Sequence, residues 1–304
     1  MRVIATRLRA TWDADSAGSH RVLGAALMAL AMLTIPCADG IGKYLSGDHS
    51  PLFLGWARYA AGAAFIVPTA FVAGKGDRIP RQQVPLQLLR AIFLVGSVSL
   101  YYLAIARIPL ADALGAYFIA PILATLLAAV FLKEVLNARR LVAVGIGFAG
   151  ALLIAQPGVT MSSGMAYALA AGCCMACYIV ATRAVARAAP PLPTLAFQYV
   201  SGGVLLLLPA LLNWSTPTLE ALLLILLMGF VSATSHLLVI SAFRFAEASA
   251  LSPLIYLELV GTTIFGLLVF GQLPSWVTWL GIGLVVAGGL GLIEPRQRQT
   301  DPPE

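Results

Sequence analysis

The stretch from Ala106 to Ile154 reads ARIPLADALGAYFIAPILATLLAAVFLKEVLNARRLVAVGIGFAGALLI, and its pattern returns near the other end of the chain. The second copy, from Phe243 to Ile293, reads FRFAEASALSPLIYLELVGTTIFGLLVFGQLPSWVTWLGIGLVVAGGLGLI. Arg107 of the first copy aligns with Arg244 of the second, and long apolar runs follow both. This match predicts that the chain contains two copies of one structural unit.

Composition assigns both copies to the membrane. The 304 residues are 60% hydrophobic and 11% charged, with a mean hydropathy of +0.91, whereas a soluble domain is about 25% charged. A membrane-spanning helix needs about 20 mostly apolar residues, and short connections rich in Gly, Pro and Ser separate the candidates. We expect an all-α integral membrane protein with ten spans, at about 22–45, 52–73, 85–106, 110–131, 139–156, 163–184, 193–212, 218–242, 249–270 and 275–293.

Basic residues set the predicted orientation, because Lys and Arg accumulate in cytoplasmic loops. With the N-terminus inside, fifteen Lys and Arg fall in cytoplasmic segments, and Arg107 alone falls on the other side. This bias predicts a multi-pass membrane protein with both tails, 1–21 and 295–304, in the cytoplasm. The net charge of +6 is then a topology signal, and we expect no nucleic-acid partner.

The boundary between the copies divides the chain into two halves of five spans, 1–158 and 159–304. Because five is odd, the second half must enter the membrane upside down relative to the first. Inverted repeats are typical of secondary transporters, which bind substrate in a central cavity between the halves and expose it alternately to each face. The duplication therefore favours a transporter over a receptor, an enzyme or a structural protein.

Three stretches carry a resemblance to a known family: DGIGKYL in the first span, Arg58 in FLGWARYAAGAAF, and IAPILATLLAAVFLKEVLNARRLVAVGIGFAGALLI with Pro121 and Glu134. On these the chain resembles the drug/metabolite transporter superfamily in its ten-span EamA-type form. The resemblance implies efflux of small metabolites, and the length and layout look most like bacterial amino-acid exporters of the YddG type. Gln272 stands in the second half where Glu134 stands in the first, so the two loops need not be held alike.

Asp39 and Lys43 lie one helical turn apart near the end of the first span, so they share a face and can form a pair. Arg58 lies at a similar depth in the second span and can join them. A charge at mid-membrane costs about 2.5–3.5 kcal/mol on insertion scales. We therefore expect each of these charges to have a partner of opposite charge. Two interpretations stay open: an ion cluster that pins two helices, or an outer gate in which Asp39 contacts a substrate amine.

Two titratable residues lie deeper. His236 in VSATSHLLVIS is a candidate proton relay or a packing histidine, because histidine titrates near neutral pH. Glu258 in LIYLELVGT lies near mid-membrane with no basic residue within a turn, so it should be protonated, paired across helices or facing water. It is a candidate for contact with a substrate ammonium or for proton coupling. Facilitated diffusion and proton antiport both stay open.

Tyrosines recur within the predicted spans and can stack on a substrate ring while their hydroxyls orient it. The candidates for the cavity wall are Tyr101, Tyr102, Tyr178 and Tyr199. Adjacent residues of a helix do not share a face. At most one of Tyr101 and Tyr102 should therefore point fully inward.

Two motifs that occur in soluble proteins are better explained by packing. GIGFAG matches Gly-x-Gly-x-x-Gly but lies within an apolar segment, where small residues let membrane helices approach closely. Cys174 and Cys177 have no second ligand pair nearby, so we expect no metal site.

We therefore expect a transporter rather than an enzyme, without a cofactor, acting as a monomer on a small molecule. The leading hypothesis is export of small neutral metabolites, above all aromatic and other neutral amino acids, by alternating access. The alternative is a multidrug or hydrophobic-cation exporter, or another metabolite carrier of the same superfamily. An enzyme would need a nucleophile with its base or a metal set, and a channel would need a filter-like loop.

Overall fold

The computed structural model describes residues 2–73, 79–131, 133, 137–155, 162–185, 190–245 and 251–291, and within these ranges helices and short connections make up the chain. Two 3₁₀ turns, Arg81–Gln83 and Ser252–Tyr256, supplement the α-helices. The α-helices are α1 (Arg2–Leu45), α2 (Pro51–Ala73), α3 (Val84–Ile105), α4 (Leu110–Tyr117), α5 (Ile119–Phe131), α6 (Ala138–Ala155), α7 (Ser163–Val185), α8 (Pro191–Leu212), α9 (Leu219–Phe245), α10 (Leu257–Phe270) and α11 (Trp276–Gly291).

Seven helical segments of the described chain are long and apolar enough to cross a membrane. They are Val22–Leu45, Arg81–Ile105, Leu110–Phe131, Ala138–Ala155, Ser163–Thr182, Leu192–Leu212 and Leu219–Ala242. Helix α2, with 23 residues including Arg58, falls outside this set. The segments Leu254–Phe270 and Trp276–Gly291 are apolar but shorter. Helix α1 begins at Arg2, so the helix continues into the predicted N-terminal tail.

Two expected continuous helices are interrupted. The segment predicted at 110–131 divides into α4 and α5 at Phe118, because Pro121 lacks an N–H and its ring clashes with the carbonyl four residues earlier, that of Tyr117. The segment predicted at 249–270 is a 3₁₀ turn containing Pro253, followed by α10. The alignment that pairs Arg107 with Arg244 brings Phe118 opposite this second interruption, so the two breaks correspond.

The principal helix contacts join the N-terminal part of the chain to the C-terminal part. Helix α1 packs on α9 and α10, α2 on α8 and α9, α3 on α7 and α8, α4 and α5 on α7, α4 on α10, and α6 on α11. The main apolar core, which includes Leu54, Tyr102, Ile122 and Met228, therefore lies between the two parts.

Helices α2 and α8 cross in a reciprocal contact. Their first twelve residues, PLFLGWARYAAG and PLPTLAFQYVSG, align so that Tyr59 corresponds to Tyr199 and Gly62 to Gly202. A Cβ atom on Gly62 would overlap the ring of Tyr199, and one on Gly202 would overlap the ring of Tyr59. The two tyrosine rings meet edge to face with centroids 5.8 Å apart. Such mutual contact is the pattern of a two-fold related interface, and it makes α2 and α8 antiparallel.

Gly147 and Gly150 of GIGFAG serve helix packing, as expected, whereas a Cβ atom on Gly145 would meet nothing within 4 Å. A Cβ atom on Gly150 would lie 2.6 Å from the carbonyl oxygen of Gly281, and one on Gly288 would lie 2.6 Å from the backbone nitrogen of Gly147. Helices α6 and α11 therefore approach backbone to backbone, which small residues permit. This pair stands outside the helices that surround the cavity described next.

Candidate functional site

A cavity of about 290 Å³ lies between the two parts of the chain. All the helices except α6 and α11 contribute to its wall, and the break between α4 and α5 and the break before α10 both border it. The aromatic lining residues are Tyr59, Tyr101, Tyr117, Phe118 and Tyr199, and the polar ones are Asp39, Arg58, Gln198, Ser232, His236 and Glu258.

One polar network, which we call the Asp39 cluster, consists of Asp39, Arg58, Tyr199, Ser232 and His236. Arg58 donates from Nη1 to Oδ1 of Asp39 at 2.6 Å and from Nε to Oγ of Ser232 at 2.9 Å. The hydroxyls of Tyr199 and Ser232 are 2.9 Å apart, and Nδ1 of His236 lies 3.3 Å from the Tyr199 hydroxyl. Asp39 and Arg58 are 4% and 8% exposed, so this ion pair is buried and its two charges neutralise each other.

His236 also lies 2.8 Å from the backbone carbonyl of Ser232 through Nδ1. Because a carbonyl oxygen only accepts hydrogen bonds, Nδ1 carries a proton in this arrangement. The ring is therefore held in a fixed orientation at the cavity wall.

Lys43 makes a different contact from the one expected. Its Nζ donates to the carbonyl oxygens of Ile105 and Ile108, at 2.6 and 2.7 Å. These carbonyls belong to the C-terminal end of α3 and the residues after it, where a cation is favoured by the helix dipole. The expected pair between Asp39 and Lys43 is therefore wrong, since Asp39 pairs with Arg58. Lys43 anchors one end of α3 and does not line the cavity.

Glu258 lies in the first turn of α10 and lines the cavity. Among the described residues, its carboxylate forms no ion pair within 4.0 Å and accepts no hydrogen bond. The start of a helix favours a negative charge, and the interruption before α10 brings that start to the cavity. The acid therefore faces open space rather than a protein cation.

The four candidate tyrosines divide into two groups. Tyr101 and Tyr199 line the cavity, and the hydroxyl of Tyr101 is buried with no hydrogen-bond partner among the described residues. Tyr102 points elsewhere, since its hydroxyl accepts a bond from Arg58 at 3.4 Å and donates to the sulfur of Met228. Tyr178 lies behind the wall. Only one of the adjacent pair Tyr101 and Tyr102 faces inward.

A second polar network, the Arg90 cluster, consists of Arg90, Gln87, Tyr178 and Gln198. Arg90 donates from Nη1 to Oε1 of Gln87 at 2.6 Å and from Nη2 to Oε1 of Gln198 at 2.7 Å. The Tyr178 hydroxyl donates to the same Gln198 oxygen at 2.9 Å, and the Arg90 guanidinium lies 5.1 Å from the Tyr178 ring centroid. Gln198 is the member of this network that reaches the cavity.

Sequence reasoning missed several residues of the wall, including Tyr59, Gln198 and Ser232. The signal for two of them is present in the α2 and α8 alignment, in which Arg58 and Tyr59 correspond to Gln198 and Tyr199. Proline-interrupted segments at corresponding places in two halves also point to a transporter's binding site. Ser232 has no comparable signal, because serine is common in membrane helices.

The described residues hold no group of three or more His, Cys, Asp or Glu side chains that could bind a metal ion. Cys37, Cys173, Cys174 and Cys177 are free thiols. Glu134, which carried part of the sequence resemblance, lies outside the described residues.

A sequence profile of the EamA-like transporter family matches residues 22–156 and again residues 162–293. The chain is 25% identical over 273 residues to the riboflavin transporter of Vibrio cholerae, covering 88% of this chain and 91% of that protein. It is 22% identical over 272 residues to the S-adenosylmethionine uptake transporter of Rickettsia bellii, covering 89% and 93%. It is 27% identical over 276 residues to the pseudopaline exporter of Pseudomonas aeruginosa, covering 88% and 95%.

Among solved structures, a crystal structure with a TM-score of 0.63 at 19% identity has a similar fold. The similarity covers 90% of this chain and 96% of that one.

Proposed function

Since the chain belongs to the EamA-like transporter family, we propose that it is a secondary transporter that exports small neutral metabolites, above all aromatic amino acids. The observation that carries the substrate class is the unpaired Glu258 carboxylate in a cavity walled by aromatic rings. A carboxylate in this setting receives an ammonium group, and the tyrosine rings receive an aromatic side chain.

The proposed architecture is ten spans in two inverted five-helix repeats, 1–158 and 159–304. The reciprocal contact of α2 with α8 supports it, as do the matching interruptions beside the cavity. The packing partners add further support. In the two proposed repeats α1 corresponds to α7, α2 to α8, and α3 to α9. The observed contacts of α1 and α2 with α9 thus correspond to the observed contacts of α7 and α8 with α3. In this scheme substrate crosses by alternating access, as one half moves against the other.

The proposed location is the bacterial inner membrane, with a monomer whose two termini are cytoplasmic. The distribution of Lys and Arg supports this orientation. It puts the 46–50 loop outside, so the Asp39 cluster lies toward the outer end of the cavity. Asp39 and Arg58 then hold the outer ends of α1 and α2 to α9, and Lys43 anchors the same end of α3.

The cavity volume supports a small substrate. Ligand sites for drug-sized molecules span about 300–1,000 Å³, and this cavity lies at the lower limit. The named relatives carry riboflavin, S-adenosylmethionine and pseudopaline, all of which are larger than phenylalanine. The family membership therefore supports transport, and the cavity itself supports the amino-acid class.

A second candidate is export of hydrophobic cations. Glu258 favours it, because an unpaired acid among aromatic rings also suits a lipophilic cation that has no carboxylate. The two functions differ in whether the substrate needs an anionic group.

The test is uptake of labelled phenylalanine and tryptophan into proteoliposomes of the purified protein, with and without a pH gradient. Unlabelled amino acids, riboflavin and a lipophilic cation serve as competitors. Saturable uptake that neutral amino acids block is the expected result, and its response to the gradient separates antiport from facilitated diffusion. No uptake above empty liposomes, with binding of the cation alone, would replace the amino-acid proposal with the second candidate.

Glu258→Gln tests the residue that carries the proposal. Loss of the negative charge should weaken phenylalanine uptake by about 10- to 100-fold, since hydrogen bonds to charged groups contribute about 1.5–3 kcal/mol. Glu220→Gln is the matched control, because Glu220 is exposed at the start of α9. Equal uptake by wild type and Glu258→Gln would contradict the assigned role.

A further inference from the structure

We propose that Gln198 is the hydrogen-bond donor that binds the substrate's carboxylate, and that Arg90 and Tyr178 behind it are its positioning residues. This inference rests on the proposed function and assigns it a second substrate contact. The ligand chemistry is that of an α-amino acid, with an ammonium at Glu258 and a carboxylate at Gln198.

The orientation of the Gln198 amide follows from its partners. Arg90 carries only donors, so the Gln198 atom 2.7 Å from its Nη2 must be the oxygen. The Tyr178 hydroxyl donates to that same oxygen at 2.9 Å. Because Oε1 accepts both of these hydrogen bonds, the Nε2 group is the part of the amide that can donate to another partner. Gln198 is 5% exposed and lines the cavity, so it offers a fixed N–H donor there.

The charge around Gln198 favours an anion. Arg90 is 5% exposed, and no Asp or Glu oxygen lies within 4.0 Å of its guanidinium among the residues that the structure describes. Its acceptors are neutral, namely Gln87 and Gln198. The Nε2 atom of Gln87 is also buried without an acceptor in the described part of the chain. This cluster therefore has more donors than acceptors and one uncompensated positive charge.

A buried charge without a counter-charge is unfavourable, and a bound carboxylate would relieve it. By contrast, the positive charge of Arg58 is already neutralised by Asp39 at 2.6 Å. The cavity thus has two uncompensated groups, Glu258 and the Arg90 cluster. Helix α10 packs on α1 and α4, whereas α8 packs on α2 and α3, so these groups stand on different walls. A zwitterion between them satisfies both.

The experiment compares three ligands that share one ring: phenylalanine, phenylethylamine without the carboxylate, and 3-phenylpropionate without the ammonium. Each competes against labelled phenylalanine uptake, and each is titrated calorimetrically into the purified protein in detergent. In wild type, phenylalanine should bind about 10- to 100-fold more tightly than phenylethylamine, which is the effect of a hydrogen bond within a charged site.

Gln198→Glu retains the side-chain shape but puts a carboxylate against Arg90 and removes the donor. This variant should lose the preference for phenylalanine over phenylethylamine. Arg90→Gln, which removes the charge behind the amide, should reduce the same ratio. Gln82→Glu is the matched control, because Gln82 is exposed on the 3₁₀ turn before α3, and it should keep the wild-type ratio.

The outcomes separate this inference from the function on which it rests. If wild type transports phenylalanine and both variants keep the wild-type ratio, the carboxylate contact at Gln198 is overturned while the transporter proposal stands. If wild type neither transports nor binds any amino acid, the proposed function itself fails, and the carboxylate contact fails with it.

Discussion

The Asp39 cluster and the Arg90 cluster are built from corresponding elements, yet they balance charge in opposite ways. Arg58 is the eighth residue of α2, and Gln198 is the eighth residue of the antiparallel α8, so the two clusters lie toward opposite ends of the cavity. Apart from Tyr199 of α8, the first takes its side chains from α1, α2 and α9, and the second takes them from the corresponding helices α7, α8 and α3. In the first cluster a cation meets a carboxylate, and in the second a cation meets only neutral acceptors.

This difference shows how a duplicated framework can hold unlike sites. The shared positions, Tyr59 with Tyr199 and Gly62 with Gly202, are those that pack the two copies against each other. The position next to the tyrosine carries arginine in one copy and glutamine in the other. Packing therefore preserves the related residues, while the polar residues beside the cavity differ and give its two ends different chemistry.

Asp39→Asn should have the largest effect on folding. Removal of the carboxylate leaves Arg58 buried without a counter-charge, which destabilises a protein by about 3–5 kcal/mol. The measurement is SDS-induced unfolding in mixed micelles, together with the yield of monodisperse protein. Asp48→Asn, on an exposed loop residue, is the control and should resemble wild type.

If Asp39→Asn folds with wild-type stability but no longer transports, the result supports Asp39 as a substrate or gate residue. It contradicts the role of the Asp39–Arg58 pair in holding the helices together. The double variant Asp39→Asn with Arg58→Gln sharpens the test. It removes both charges, so it should be more stable than the single variant.

Gly62→Ala and Gly202→Ala should have intermediate and similar effects, because each added methyl would overlap the tyrosine ring of the other copy. Overpacking of this kind costs about 1–3 kcal/mol. Gly203→Ala is the neighbouring control, since a Cβ atom there would meet nothing within 4 Å. Unequal losses, with only one glycine sensitive, would argue against a reciprocal α2 and α8 contact.

Arg90→Gln should have the smallest effect on stability, below about 1 kcal/mol, because the lost hydrogen bonds are offset by removal of a buried, uncompensated charge. The same unfolding assay measures it beside Arg58→Gln, which leaves Asp39 alone and should be far less stable. A loss for Arg90→Gln as large as that for Arg58→Gln would show that the two clusters do not differ in charge balance.

Prediction from sequence succeeded where the signal was local. The apolar runs located most helix ends within a few residues, because about 20 apolar residues in succession have few alternatives to a membrane helix. The span 110–131 is located correctly, but the break within it at Phe118 and the 3₁₀ turn at Ser252–Tyr256 were not predicted, because both depend on the effect of an internal proline on the helix. A spacing of four residues also permitted a pair of Asp39 with Lys43, and Arg58 was expected to join it; in the structure Asp39 pairs with Arg58, and Lys43 bonds to backbone carbonyls instead.

The sequence by itself determined the membrane class, the duplicated unit and the family, because these depend on composition and on residue order along the chain. Only the tertiary structure decided which charges are neutralised. Arg58 bonds to residues 19 and 174 positions away, and Arg90 bonds to Gln198 at 108 positions. A buried charge is stabilised by the atoms within a few ångströms of it, and helix packing, rather than proximity in sequence, brings those atoms together.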